Sequence, residues 1–255
     1  MDLALETQGL VRRFGDLVAV AGIDLSVPRG ILYGFLGPNG AGKSTTIKCL
    51  TGLLRPTAGT IRILGLDPWS DPVGVKRQVG VVPEDLALFE SLTGSETLEF
   101  VGRVHGLGRD VIAARGGELL ELMDLRGAAG AQVADYSHGM RKKLSLAAAL
   151  LPAPRLLFLD EPFEGIDAVA SREIKDLLTA FVGRGGTVFL TSHILEVVER
   201  LADHVGILRA GRLVAQGPIA ELRAGAPGAR TLEDLFLGLV GGEEPSGPSL
   251  DWLAG

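Results

Sequence analysis

The sequence predicts an α/β fold with three parts: a core built on a buried parallel sheet, an antiparallel β subdomain at the N-terminal end, and an α-helical insert near the middle. Three observations predict it. A glycine-rich turn from Gly37 to Thr45 stands between a strand-like apolar run, Ile31 to Leu36, and a segment of helical spacing, Thr45 to Leu54. Strand and helix patterns alternate again after residue 156. Between these regions the apolar spacing is helical over 95–106, 110–124 and 139–151.

Taken in order, Leu3 to Val11, Leu17 to Val27 and Ile31 to Leu36 favour strands, and Gly59 to Gly65 is a further strand bounded by turn residues. After the helical stretch, Leu156 to Asp160 is a short apolar run typical of a parallel strand covered on both faces. Val169 to Val182 reads as a helix, Thr187 to Thr191 as a strand and Ile194 to Ala202 as a helix. Val205 to Leu208 and Arg212 to Ala215 read as a hairpin turned at Ala210 and Gly211. One domain over 1–240 is expected, with a helical subdomain over about 88–150. The Gly-, Pro- and Glu-rich residues 241–255 are expected as a mobile tail, with a weak contact through Trp252.

Bulk properties bound the function. A formal net charge of −6 argues against nucleic acid as a partner, because phosphate backbones call for a basic face. Cys49 is the only cysteine, so no intrachain disulfide is expected, and the residue reads as a small packing group. The stretch Met1 to Glu6 lacks a basic start and a long apolar run, so no signal peptide is expected there. No run of ~18 apolar residues is present. A cytosolic protein is the expectation, with docking on something in the membrane left open.

The chemistry is concentrated in two motifs. Gly37-Pro38-Asn39-Gly40-Ala41-Gly42-Lys43-Ser44-Thr45 fits G-x-x-x-x-G-K-[ST] at every fixed position, between a strand and a helix. Glycines let the backbone close on a phosphate, and helix N-terminal amides point at the anion. Lys43 is expected to reach the β- and γ-phosphates of ATP, and the Ser44 hydroxyl to ligate Mg²⁺. The expected core is therefore that of a P-loop NTPase. The second motif, Leu156-Leu157-Phe158-Leu159-Asp160-Glu161-Pro162, sets two acids at the end of a buried strand, where open α/β sheets place ligands. Asp160 is expected to hold Mg²⁺ and Glu161 to act on the attacking water.

With these residues in place, the chain resembles the ATP-binding-cassette (ABC) family of ATPases over roughly residues 3–240. The discriminating element is Tyr136-Ser137-His138-Gly139-Met140, which stands 23 residues before Asp160 when counted from Ser137. It is similar to the family signature Leu-Ser-Gly-Gly-Gln: Ser137 and Gly139 match, while Tyr136, His138 and Met140 depart. Ser137 also reads as an N-cap, and Gly139 admits a phosphate close to a helix N-terminus. Glu164-Gly165-Ile166-Asp167 resembles the dimer-contact loop, with Asp167 matching. Thr191-Ser192-His193 resembles the switch motif, whose histidine senses the γ-phosphate.

Phe14 stands where the family places a ring on adenine, and core packing fits the sequence nearly as well. Glu84, in Val81-Val82-Pro83-Glu84, replaces the usual Gln that ligates Mg²⁺; its carboxylate either joins the metal site or points to solvent. The resemblance implies a head-to-tail pair, with a second copy or a homologous ATPase subunit, in which Ser137, His138 and Gly139 face the partner's ATP.

Of the family's branches, Glu84 to Gly94 and Thr231 to Phe236 resemble the bacterial exporter type, which implies separate membrane-spanning permease subunits. Leu86 to Leu92 is richer in large apolar residues than a surface loop requires, and reads either as the permease docking surface or as packing for the helical insert. Two other functions stay open at this point. One is a soluble cassette acting away from membranes, although such chains carry fused cassettes or long coiled-coil inserts. The other is a weakly hydrolysing regulatory module, which Glu84 and the altered signature favour and Glu161 and His193 oppose.

Overall fold

The computed structural model describes residues 2–226 and 228–241. The expected tail over 241–255, Trp252 included, lies outside the described residues except for Gly241.

The N-terminal sheet is antiparallel. Strand β1 (Leu3–Phe14) pairs with β2 (Leu17–Ile23), β3 (Ser26–Pro28) and, on its other edge, β5 (Ala58–Ile63). The single strand expected over 17–27 is therefore two. The break falls at Asp24 and Leu25, where the Thr7 hydroxyl donates to Ile23 O at 2.8 Å and accepts from Leu25 N at 2.9 Å, taking over ladder partners.

The larger sheet contains β4 (Leu32–Leu36), β6 (Val79–Val82), β7 (Leu156–Asp160), β8 (Thr187–Ser192), β9 (His204–Arg209) and β10 (Arg212–Pro218), in the order β10-β9-β4-β8-β7-β6. All its pairings are parallel except the β9–β10 hairpin. Every residue of β4, β7 and β8 is buried, as two covered faces demand. Phe189 of β8 gathers the rings of Tyr33, Phe35 and Phe158, with centroids 5.5, 5.2 and 5.7 Å away. Each such pair adds roughly 0.5–1.5 kcal/mol beyond burial, so the three central strands are fixed relative to one another.

Helix α1 (Lys43–Leu50) starts two residues earlier than expected and stops four residues sooner. It ends because Gly52, at φ +73°, turns the chain left-handed just past the Thr51 cap. A short helix, α2 (Pro72–Lys76), was not expected; Asp71 caps it and Pro72 opens it. The helical stretch holds α3 (Gly94–Val104), α4 (Arg109–Leu122) and α5 (His138–Leu150). A reciprocal capping box between Thr93 and Glu96 starts α3.

Helices α6 (Ala168–Gly183) and α7 (Leu195–Leu201) follow β7 and β8. Two helices not expected from the pattern, α8 (Ile219–Ala224) and α9 (Leu232–Val240), close the described chain. The architecture is thus an α/β P-loop core with a parallel sheet, an antiparallel β subdomain and an α-helical insert. No described helix is long and apolar enough to cross a membrane.

Candidate active site

Four parallel strands deliver the chemistry to one edge of the larger sheet. β4 ends at Leu36 and runs into the loop Gly37–Gly42. β6 ends at Val82, two residues before Glu84. β7 ends on Asp160, and β8 ends one residue before His193. This is the carboxyl edge, where α/β sheets hold ligands.

The phosphate loop is pinned from behind. Ala41 is buried; its amide donates to Pro38 O at 3.1 Å, and its carbonyl accepts from Gly211 N at 2.9 Å. Gly211 O in turn accepts from Ala21 N at 2.8 Å. Gly42 has φ +105°, and a β-carbon there would lie 2.4 Å from Ala19 O, so only glycine fits between β2 and the start of α1. Pro38, Asn39 and Gly40 face outward, and Thr45 is half-buried in the first turn of α1.

Lys43 is 6% exposed and bends back over its own loop, donating to Gly37 O at 2.7 Å. Its Nζ also lies 3.5 Å from Glu161 Oε1. Two buried opposite charges at that distance are costly to desolvate, a cost that functional sites carry more often than structural ones. Glu161 itself has φ +48°, the left-handed region, which costs a non-glycine residue about 1–3 kcal/mol. The turn aims its carboxylate back at Lys43 and at His193, whose Nδ1 is 3.0 Å from Glu161 Oε2.

Thr191 joins the two acids. Its hydroxyl donates to Asp160 Oδ1 at 2.6 Å and accepts from Glu161 N at 2.9 Å. Ser44 Oγ lies 3.4 Å from both Asp160 Oδ1 and Glu84 Oε2. Glu84, although exposed, is therefore turned to the site and not away from it. Among the described residues no group of three or more His, Cys, Asp or Glu side chains forms a ready metal cage. What the site offers is one hydroxyl and two carboxylates, all hard oxygen donors. That set suits Mg²⁺, which keeps several waters and shares phosphate oxygens; bonds of about 2.1 Å set neighbouring ligand oxygens about 3 Å apart, close to the spacing seen here.

The signature segment and the Asp167 loop meet each other. Ser137 caps α5, its Oγ accepting from Met140 N at 3.2 Å. The His138 imidazole lies against Gly165, where a β-carbon would be 3.2 Å from its Nε2. Asp167 caps α6, and its carboxylate is held below the usual range by the amides of Ala170 and Val169. Among the described residues none of Ser137, His138, Gly139 and Asp167 makes a side-chain hydrogen bond to residues 37–45. Phe14 is not a core residue: it is 45% exposed, with the Arg12 guanidinium 4.4 Å over its ring.

Sequence reasoning did not single out Lys142 or assign a role to Thr191. The ammonium of Lys142 is buried beneath the Glu161 turn, donating to Glu161 O at 2.8 Å and to Glu164 O. The available signal was a lysine just over one turn into a helix whose later positions are largely apolar.

Comparison with known proteins places these residues in a wider setting. The family described as ABC transporter matches residues 20–164. The daunorubicin resistance ATP-binding protein DrrA3 of Streptomyces coeruleorubidus is 43% identical over 229 residues, spanning 90% of this chain and 72% of that one. The bacitracin transport ATP-binding protein BcrA of Enterococcus faecalis is 35% identical over 223 residues, spanning 87% and 71%. A solved structure of an ATP binding subunit of an ABC transporter superposes with a TM-score of 0.87 at 33% identity, covering 92% of this chain and 99% of that one.

Proposed function

This chain belongs to the ABC transporter family and is an ATP-binding ATPase that works with Mg²⁺ to power transport, and on that premise we propose which residues do the work and with what partners. The observation that carries the assignment is the meeting of Lys43, Ser44, Asp160, Glu161, Glu84 and His193 at one sheet edge. Loop amides over 37–45 bind the phosphates, and Lys43 leaves its Gly37 carbonyl to meet the β- and γ-phosphates. Ser44, Asp160 and Glu84 would hold Mg²⁺, which would neutralise phosphate charge there. Glu161 accepts a proton from the attacking water, and His193, already beside it, orients the γ-phosphate. Phe14, 45% exposed, stacks on the adenine.

One chain supplies only part of each site. Among the described residues Ser137, His138, Gly139 and Asp167 make no side-chain hydrogen bond to the phosphate loop, which supports a head-to-tail pair in which they face the ATP of a second copy or of a homologous subunit. ATP then closes the pair and hydrolysis reopens it.

The transport step needs membrane-spanning permease subunits, and this chain attaches to them from the cytoplasmic face. A groove of about 390 Å³ beside Leu88, lined also by Leu53, Val101, His105 and Pro152, accepts a permease segment. Relatives named for daunorubicin resistance and bacitracin transport support export as the direction.

The test is Glu161→Gln, which keeps the shape of the side chain and removes the base. With ATP and Mg²⁺ the variant runs on size exclusion as a stable pair. A persistent monomer counts against the sandwich arrangement.

A further inference from the structure

Lys142 is 5% exposed on helix α5, a place where an ammonium group persists only if its donors are met. Two of its three N–H bonds go to backbone carbonyls, those of Glu161 and Glu164. These carbonyls bracket the turn Glu161-Pro162-Phe163-Glu164, whose first residue is the one at φ +48°. Within the turn the closing bond is a long one, from Glu164 N to Glu161 O at 3.3 Å, and outside it the Thr191 hydroxyl accepts from Glu161 N at 2.9 Å. Burial pulls the Lys142 pKa down, while the charges of Glu164, Glu161 and Glu84 act in the opposite sense and favour the charged form. The next residue, Lys143, reaches Glu173 of α6 with its Nζ 2.5 Å from Oε2. Helix α5 is thus fastened both to the turn after β7 and to the helix beyond it.

We propose that Lys142 is a positioning residue for Glu161: from helix α5 it clamps the left-handed turn that points the Glu161 carboxylate at Lys43 and His193. The inference rests on the reading of Glu161 as the group that activates water. A glutamate backbone does not hold a left-handed conformation unaided, and release of the turn swings its carboxylate off the phosphate loop. Because α5 begins at the segment read as facing the partner's ATP, the clamp also gives the two nucleotide sites of a pair a short mechanical path. It runs from Ser137 through little more than one helical turn to Lys142, and from its ammonium to Glu161.

The test uses Lys142→Met on the full chain, which keeps an apolar side chain in place and removes the donors. Turnover, KM for ATP and equilibrium binding of a fluorescent ATP analogue are measured together. The expected result is a kcat lower by about 10–100-fold, the scale of a small misplacement of a reacting group, with KM and analogue affinity within about twofold of wild type. Lys142→Arg, which keeps charged donors, recovers most of the rate. In a Glu161→Gln background Lys142→Met removes no further activity, because it acts through a group already gone.

Wild-type kcat in Lys142→Met overturns the proposal, and so does an undiminished loss in the Glu161→Gln background. If Glu161→Gln itself turns over near-normally, the reading of Glu161 falls and takes the clamp with it. If Glu161→Gln is inactive and Lys142→Met normal, the clamp alone falls. Should Lys142→Met lose its native circular dichroism, Lys142→Gln, which retains an N–H donor, is put through the same measurements with an intermediate kcat expected and an unchanged kcat overturning the proposal.

Discussion

His193 Nδ1 lies 3.0 Å from Glu161 Oε2, and the His193 amide donates to the same oxygen at 3.2 Å. The other oxygen of that carboxylate faces Lys43 at 3.5 Å. Glu161 thus ties the end of β8 to the start of α1. A γ-phosphate entering the site competes with Glu161 for Lys43 and for the His193 donors.

Glu161→Gln therefore does two things. Turnover falls by about 10²–10⁴-fold with loss of the proton acceptor. ATP affinity holds or rises, because the carboxylate no longer repels the phosphate or retains Lys43. Phosphate release and equilibrium nucleotide binding separate the two; near-normal release rules out Glu161 as the base.

Lys43→Ala removes the charge-assisted contact to phosphate and leaves Glu161 buried without its counter-charge. Such a contact is worth roughly 1.5–3 kcal/mol, so ATP affinity is expected to drop by about 10–100-fold at least. Titration of a fluorescent nucleotide checks it, and unchanged affinity rules out the phosphate-loop assignment.

Glu84→Gln keeps the fold, because Glu84 is exposed and its contact at the site is the long one to Ser44, 3.4 Å. It removes one charge from the Mg²⁺ ligands. Half-maximal hydrolysis is expected at several-fold higher Mg²⁺. Superimposable Mg²⁺ titrations place Glu84 outside the metal site.

Thr191→Val keeps the volume and loses both bonds that tie Asp160 to the Glu161 amide. Thr191 is fully buried, so stranding these partners costs about 1–3 kcal/mol. In a chain of this size that lowers Tm by about 2–4 °C per kcal/mol. Thermal denaturation reads the loss, and kcat is expected to fall with it. A stable variant with normal turnover shows the bridge to be dispensable.

The sequence carried the parts of this site that are local. Gly37 to Thr45, Asp160-Glu161 and Thr191 to His193 each take their geometry from a strand and the few residues after it, so their spacing alone foretells where they end. Bonds that cross the fold leave no such trace. Thr191 meets Asp160 across 31 residues, and Lys142 reaches the Glu161 carbonyl across 19. The second of these acceptors is backbone and has no residue code at all. The same reason hid the break at Asp24 and Leu25, which is imposed by Thr7 from a neighbouring strand. Strand β6 escaped notice because its four residues are too few to show a period.

The segment Leu86 to Leu92, read two ways from sequence, divides within itself. Leu88 is half-buried against the main core, whereas Phe89 is 57% exposed and meets Phe100 edge-on, with centroids 5.3 Å apart. Phe89→Asp is expected to fold, to hydrolyse ATP at the basal rate and to lose co-purification with its membrane partner. Leu88→Asp is expected to lower Tm, since it sets a charge in an apolar contact, and to lose co-purification as well, since Leu88 lines the groove read as accepting the permease. Retained co-purification by a folded Phe89→Asp removes Phe89 from the docking surface.

The stitching of Ala41 and Gly42 to β2 and to the β9–β10 turn has a thermodynamic consequence. The cradle for the phosphates belongs to the same cooperative unit as both sheets, so its ordering entropy is spent when the chain folds and not when ATP binds. Nucleotide affinity then draws in part on the stability of that unit. A substitution that slackens the contact between Ala19 and Gly42, far from any phosphate, lowers both, and slow amide exchange at Gly211 is the signature of the intact stitch.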